Sequence, residues 1–128
     1  MDELMKLYNA LLADSQIVEK VGERIKLYEY PETGDVTGPV IIIDPLSEPS
    51  ESDYGDDNPI TEELPIQVDV WSRDAYDTKL VAKRVTKVFR EIGYNYTAAG
   101  PNSYEQGIFR SVRRYTGKYY TEEFEGAH

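Results

Sequence analysis

Three oxygen-bearing side chains fall on two predicted strands, where they can converge on a divalent cation. Asp44 ends an apolar run that begins at Val40, and Gln67 and Asp69 lie two positions apart on a later, alternating strand. Carboxylate and amide oxygens bind hard cations such as Mg²⁺. A cation held in this way can activate a water and polarise a phosphoryl oxygen. The chemistry open to this set is therefore metal-dependent hydrolysis of a phosphodiester.

One role that this chemistry requires is not filled. Nucleases of the restriction-endonuclease type place a lysine two positions after the acidic or glutamine residue, and here that position is Asp69. Without the lysine, no group stabilises the attacking hydroxide or the charge on the phosphate. A metal-dependent nuclease remains an alternative, but too few of its roles are filled for it to be the favoured interpretation.

A second oxygen-rich set lies in the polar segment that follows. Calcium loops of the D-x-[DN]-x-[DN]-G type need a distal glutamate and six to eight converging oxygens. The spacing here does not match that pattern, so we predict no metal site and interpret the set as part of an acidic loop. Its members are Asp53, Asp56, Asp57 and Asn58.

The usual routes to catalysis are absent from the printed sequence. The only histidine is His128 and there is no cysteine, so catalytic triads, cysteine nucleophiles and zinc thiolates have nothing to build on. Neither GxxxxGK[ST] nor a GxGxxG after a strand is present, so no phosphate cradle is indicated. We predict no catalytic residue, no metal ligand and no cofactor.

Two observations bear on the compartment. The N-terminal segment MDELMKLYNA lacks the basic start and apolar stretch of a secretory signal. No apolar run approaches the roughly 18–20 residues that a bilayer-spanning helix needs. We therefore expect a product of the cytoplasm with no membrane partner.

The net charge of −10 conceals a strong asymmetry along the chain. Residues 27–72 contain twelve acids and no Lys or Arg, whereas residues 73–118 contain ten bases and four acids, a net +6. Bulk attraction to DNA is not expected, because affinity for phosphate depends on positive charge and counterion release. One end of a subunit can instead attract the opposite end of the next, although ordinary solvated surface explains the same pattern.

Aromatic and basic side chains on the predicted strands are typical of a contact surface. Trp71 lies on the strand face opposite Ile66 and Val68, which indicates a second buried layer or a partner surface. Eleven tyrosines add contact area at low entropic cost. The arginines can be interpreted as a nucleic-acid grip, but the surrounding acidity favours a salt-bridging protein surface. We predict a subunit interface at Trp71, Arg73, Arg110, Arg113 and Arg114.

Hydrophobic periodicity and capping residues predict three helices. The first spans Asp2 to Leu12. The second is capped by Asp14 or Ser15 and continues to Val21. The third is capped by Ser72 or Asp74 and continues to about Ile92. We predict that the third helix buries a stripe formed by Tyr76, Leu80, Val81, Val85, Val88, Phe89 and Ile92.

Five strands are predicted between and after these helices, in an α+β fold. The sheet is expected to be mainly antiparallel, with four to five strands, and to carry the N-terminal helix and the long helix on one face. We expect one domain, 1–128, with a mobile acidic loop at 45–63 and a frayed tail at 121–128. The predicted strands are Arg24 to Tyr30, Val40 to Asp44, Leu64 to Trp71, Tyr94 to Ala98 and Gly107 to about Tyr120.

The order of these elements resembles the tail terminator and tail completion proteins of long-tailed bacteriophages. The turn D-x-x-I-x-x-x-V-G-x-R-I runs from Asp14 to Ile25, and the strand Val40 to Asp44 and a long polar loop follow. Then PIQVDVWS leads directly into the helix A-x-x-x-x-x-V-A-x-x-V, from Ala75 to Val85. The pattern covers Met1 to about Tyr120 and contains no catalytic signature.

The resemblance implies a structural protein rather than an enzyme. Members of that family form a ring, typically of six subunits, which caps the tail tube, stops its polymerisation and meets the head connector. The implied partners are copies of the chain, the tail tube protein and the head connector protein, and the implied location is the tail–head junction of the virion after assembly in the host cytoplasm. DNA passes through the ring without specific binding.

In such a ring the acidic loop is expected to face the lumen or a partner, where negative charge would repel passing DNA. The residues concerned are Glu48, Glu51, Asp53, Asp56 and Asp57. A head–tail joining or neck protein of the connector fits the same pattern. A host binding module with no phage connection also stays open.

Overall fold

The computed structural model describes residues 2–55 and 58–121, and within them the three predicted helices are confirmed. They are α1 (Asp2–Leu12), α2 (Ser15–Val21) and α3 (Ala75–Glu91). Asp14 caps α2 by accepting a hydrogen bond from the Ile17 N–H at 3.0 Å. Asp74 caps α3 in the same way. Each carboxylate satisfies an N–H that has no partner within its helix, which explains why the helices begin where they do.

Seven strands form one mixed sheet, so the predicted α+β class is confirmed and the sheet is larger than expected. The order is β1-β2-β4-β7-β5, with β3 paired to β4 and β6 paired to β7. The pair β1–β2 is parallel and every other pair is antiparallel. The strands are β1 (Ile25–Leu27), β2 (Val40–Pro45), β3 (Ser50–Gly55), β4 (Asn58–Ser72), β5 (Tyr94–Ala99), β6 (Ser103–Glu105) and β7 (Ile108–Tyr120).

The first strand is shorter than predicted. It ends at Leu27, and the next residue, Tyr28, has a φ of 69°. This left-handed backbone conformation is incompatible with an extended strand. The chain then leaves the sheet and forms a single 3₁₀ turn, Thr33–Asp35, before β2 begins.

The segment 45–63, predicted as a mobile acidic loop, contains paired strands. Strand β3 pairs with the first part of β4 in antiparallel register, from Ser50 opposite Glu63 to Gly55 opposite Asn58. On its other side, this part of β4 pairs with the end of β7, beginning at Thr61 opposite Tyr120. Backbone hydrogen bonds with neighbouring strands order this segment, although its sequence has no alternation of apolar and polar residues. We call residues 50–55 and 58–63 the acidic arm.

The predicted frayed tail begins with an ordered residue. Thr121 is buried, and its N–H donates to the Ile60 carbonyl at 2.9 Å. The rest of the predicted tail, 122–128, lies outside the described residues, as do Asp56 and Asp57.

The main core lies between the helices and one face of the sheet. Apolar side chains of β2 and β4 meet α1, α2 and α3 there, with Ile41 opposite Val70 and Ile43 opposite Val68 in the register of the two strands. A smaller core lies on the opposite face, which carries no α-helix in the described part of the chain and is called the helix-free face. It consists of Val36, Val40, Ile42, Trp71 and Ile108.

The buried stripe of α3 differs from the prediction at its N-terminal end. Tyr76 is 71% exposed and Leu80 is 37% exposed. Tyr76 precedes the buried Val81 by five residues, which places it about 140° away around the helix axis. The buried positions of α3 are Thr78, Val81, Ala82, Val85, Val88 and Phe89.

Candidate interaction surfaces

Trp71 anchors the smaller core on the helix-free face, so the second buried layer predicted as one alternative is present. Its side chain is 8% exposed, and its indole N–H donates to Asp69 Oδ2 at 3.2 Å. The ring of Tyr30 packs beside it, with centroids 5.6 Å apart. A tryptophan with its N–H satisfied in this way fixes the position of its neighbours.

Arg110 covers the indole from the adjacent strand. The two residues are direct partners in the β4–β7 register, and Arg110 Cζ lies 4.4 Å from the centre of the Trp71 ring. A guanidinium at this distance from an indole forms a cation–π contact. Arg110 Nη1 lies 3.5 Å from Glu105, whereas its Nε is buried and has no hydrogen-bond partner among the described residues. Much of Arg110 therefore serves packing within the subunit.

Arg73 is also engaged within the subunit. It donates from Nε to the Val36 carbonyl and from Nη2 to the Thr33 carbonyl, both at 2.9 Å. These bonds hold the connector between β1 and β2 against the smaller core. Trp71, Arg110 and Arg73 therefore all lie around the smaller core and make contacts within the subunit. Their place in a subunit interface stays a prediction.

The three oxygen ligands suggested by the sequence do lie near one another on the helix-free face. Asp44 and Gln67 are opposite each other in the β2–β4 register. Gln67 Nε2 donates to Asp69 Oδ1 at 3.1 Å, and the Tyr30 hydroxyl donates to Asp44 Oδ2 at 3.3 Å. Each side chain is thus held in a hydrogen bond with a neighbour. Among the described residues, no group of three or more His, Cys, Asp or Glu is arranged to hold a metal.

Two groups in this network have altered acidity. Burial raises the pKa of Asp69 above its ordinary value, although hydrogen bonds from Trp71 and Gln67 oppose the change. Burial, together with the charges of Asp69 and Asp44, raises the pKa of Tyr30 to about 12. Both shifts arise because the site disfavours additional negative charge.

Arg113 and Arg114 are adjacent in sequence but lie on opposite faces of the sheet. Arg113 Nη1 donates to Thr86 of α3 at 2.9 Å, so it lies on the helix side. Arg114 Nε lies 3.4 Å from Gln67 Oε1 on the helix-free face. Strand alternation separates them, so the five predicted interface residues do not form one surface.

Arg113 instead lines a groove of about 370 Å³ between α3 and the start of β7. The groove is lined by four cationic residues from two elements, together with hydroxyl groups and the ring of Phe109; the cations are Lys79, Lys83, Arg110 and Arg113. No acid is among the described residues that line it. The residues that give it its chemistry are Thr78, Lys79, Lys83, Ser103, Ser111 and Arg113. We call this feature the basic groove.

Lys79 and Lys83 were not among the interface residues predicted from the sequence. They are four residues apart on α3, so they project from one side of the helix. This i, i+4 spacing is visible in the sequence, but the approach of Arg113 from β7 is not. Neither lysine forms an ion pair with any described residue.

The acidic arm carries negative charge on both faces. On the helix-free face, Lys118 binds Asp53 at 2.8 Å and Glu63 at 3.6 Å. The hydrogen bond from Lys118, followed by that from Thr61, lowers the pKa of Asp53.

On the helix side, Glu51 is directly opposite Glu62 in the β3–β4 register. Neither forms an ion pair within the described residues. Glu48 is exposed just before the arm, and the predicted partners Asp56 and Asp57 lie outside the described residues.

Comparison with known proteins identifies a similar fold. No protein-family model and no curated protein matches the chain. Among solved structures, the fold is similar to that of a chain in the virion of a native gene transfer agent (GTA) particle, with a TM-score of 0.67 and 14% sequence identity. The alignment covers 90% of this chain and 92% of that chain. At this level of identity the likeness establishes the shared fold.

In the described part of the chain, no helix is both long and apolar enough to cross a membrane.

Proposed function

We propose that this protein is a non-enzymatic structural component of a phage-like virion and that it assembles into a ring, with six subunits as the expected number. In this role the ring caps the tail tube, stops its polymerisation and joins it to the head connector. The observation that carries the proposal is the fold shared with a GTA virion chain over 90% of this chain. Fold alone does not fix function, so the surfaces must supply the remaining argument.

The distribution of charge supports ring assembly. The basic groove and the acidic arm are different surfaces of one subunit, and a head-to-tail ring places a different surface of each subunit against each neighbour. Opposite charges on those surfaces favour one relative orientation. The net charge of −10 agrees with a ring through which DNA passes without being retained.

The helix-free face is a second surface for partners. Arg114 is exposed there, and Tyr30 is 43% exposed beside the internally packed Trp71. We assign this face to the tail tube or the head connector, because its polar network is ordered by internal hydrogen bonds before any partner arrives. Preordered side chains reduce the entropic cost of binding.

Tube elongation provides the direct test. A tail tube protein from the same phage-like particle is polymerised with and without the chain, and tube lengths are measured by electron microscopy. We expect elongation to stop and an annular density to sit at one tube end. Tubes of unchanged length, with the chain absent from their ends, would contradict the proposal.

A neck protein of the head connector is the second candidate, because the same shared fold and charge segregation would serve a ring at that position. Affinity purification distinguishes the two. Recovery with tube protein supports the terminator role, and recovery with connector protein alone supports the neck role. A host binding module would recover neither.

The nuclease alternative has its own assay. Incubation of the chain with plasmid DNA and Mg²⁺ is expected to leave the plasmid intact, because the position where those nucleases have lysine is Asp69, which is engaged with Trp71 and Gln67. Magnesium-dependent cleavage that is lost in Asp69→Asn would overturn the structural assignment.

A further inference from the structure

The basic groove has cationic groups that the subunit does not neutralise. Lys79 and Lys83 are exposed and form no ion pair among the described residues. Arg113 uses Nη1 to bind Thr86 and stacks 5.1 Å from the centre of the Tyr96 ring, so its charge is likewise not balanced by a carboxylate. The groove also receives the N-terminal turn of α3 at Ala75, whose partial positive charge has the same sign.

The acidic arm carries negative charge that is not neutralised by a described residue on its helix side. Glu51 and Glu62 are direct cross-strand partners, and like charges in that arrangement destabilise a strand pair. Lys118 is engaged with Asp53 and Glu63 on the other face of the arm. The helix-side glutamates therefore retain a repulsion that an external cation would relieve.

Both surfaces lie on the same side of the sheet. Glu62 precedes Leu64 by two residues, and Leu64 belongs to the helix-side core. Arg113 reaches α3 on that same side.

One subunit cannot bring its own arm to its own groove. Strand β7 connects the two, because Ser111 lines the groove and Tyr119 pairs with Glu62. These β7 residues are eight positions apart, which corresponds to about 26 Å along a strand. An ion pair requires roughly 4 Å between its charged atoms, so the neutralising partner must come from another molecule.

We propose that the acidic arm of one copy docks in the basic groove of the next, with Glu51 and Glu62 facing Lys79, Lys83 and Arg113. Phe109, on the groove wall, supplies apolar surface beside the charges. In the proposed ring, each subunit gives an arm to one neighbour and receives an arm from the other. This inference rests on the proposed ring for its setting and names the surfaces that close it.

Charge reversal with rescue tests the docking. The groove variant is Lys79→Glu with Lys83→Glu, and the arm variant is Glu51→Lys with Glu62→Lys. Each alone opposes like charges and is expected to weaken self-association by about tenfold or more, since such juxtapositions cost several kcal/mol. The variant that carries all four changes restores opposite charges and is expected to recover assembly, as is an equal mixture of the two double variants. Sedimentation velocity measures each distribution.

A matched control separates local contact from total charge. Lys6→Glu with Lys26→Glu makes the same change in net charge at exposed lysines outside the groove, and it is expected to keep the wild-type distribution. Circular dichroism and thermal melting verify that every variant is folded. A folded four-change variant that fails to assemble, or a groove variant that assembles normally, would overturn the docking.

The same samples separate this inference from the proposed function. The docking would be overturned if the wild-type chain stays monomeric in solution at its highest soluble concentration and also binds tube ends only as single subunits. Rings that form through the arm but leave tube length unchanged would overturn the capping role and support the docking. A groove variant that loses affinity for duplex DNA while assembling normally would assign the groove to nucleic acid and overturn the docking.

Discussion

At the scale of single residues, Asp69 carries a carboxylate in a nearly closed site. It is 6% exposed, and the groups that donate to it, the Trp71 indole and the Gln67 amide, are both neutral. Arg110 lies across the Trp71 ring and lowers the pKa of Asp69 only in part. Asp69 therefore orients Trp71, because its hydrogen bond to the indole holds that side chain in the smaller core.

We predict that Asp69→Asn increases stability at neutral pH, on the order of 1 kcal/mol, the usual scale for a buried polar group. The folded-state pKa of Asp69 is raised above 3.8, so the ionised form destabilises the fold relative to a neutral side chain. The advantage of asparagine is therefore present at pH 7. It disappears as the pH falls through the raised folded-state value and below 3.8.

Denaturant unfolding at pH 7 and at pH 3 measures this difference. Asp35→Asn removes one negative charge at an exposed position and should leave stability nearly unchanged. A less stable Asp69→Asn at pH 7 would mean that the charge of the carboxylate contributes more to its hydrogen bonds than its burial costs.

At the scale of elements, β7 depends on a close approach between two strands. Gly117 is paired with Tyr94 of β5, and a Cβ at Gly117 would overlap the Tyr94 ring. That ring cannot move away easily. It is 1% exposed, packs against Phe89, and its hydroxyl donates to Glu3 at 2.8 Å. The absence of a Cβ at Gly117 therefore leaves the space in which the Tyr94 ring joins β5 to α1 and α3.

Gly117→Ala is predicted to destabilise the fold by about 1–3 kcal/mol, the range for overpacking a filled core. Thermal unfolding measures the change. Gly34→Ala is the control, because a Cβ there would contact nothing within 4 Å. Equal melting temperatures for the two variants would show that β5 can shift to accommodate the extra carbon.

Element prediction was accurate where the signal is local. Capping by Asp14 and Asp74 and the buried runs of β2 and β4 depend on neighbours within a few residues, and the structure confirms them. The acidic arm was missed because β3 has no apolar alternation; only two of its residues, Ser52 and Gly55, are even half-buried among the exposed ones. Its order comes from β4 and, through β4, from β7, more than fifty residues later in the chain.

At the scale of the whole molecule, Arg113 and Arg114 lie on the two different faces that we propose bind other molecules. Arg113 lines the basic groove, and Arg114 lies on the helix-free face. We predict that Arg113→Glu weakens self-association more than Arg114→Glu, because only Arg113 lies where the acidic arm docks. Sedimentation velocity at matched concentrations measures both, and increasing salt should reduce the difference by screening the charges.

The two variants have equal formal charge and adjacent positions, so each is the control for the other. A larger loss in Arg114→Glu would move the subunit contact to the helix-free face, beside Trp71. The double variant, Arg113→Glu with Arg114→Glu, is expected to weaken self-association at least as much as Arg113→Glu alone.

The sequence alone was sufficient to predict the three helices with their caps, the buried strands and the segregation of charge. Each of these features depends on periodicity or composition that can be counted along the chain. Tertiary structure decided the rest. Lys79 and Lys83 become a groove only when Arg113 arrives from another element, and Glu51 meets Glu62 only through strand register. Contacts between distant residues depend on how elements pack and pair, and no local pattern contains that information.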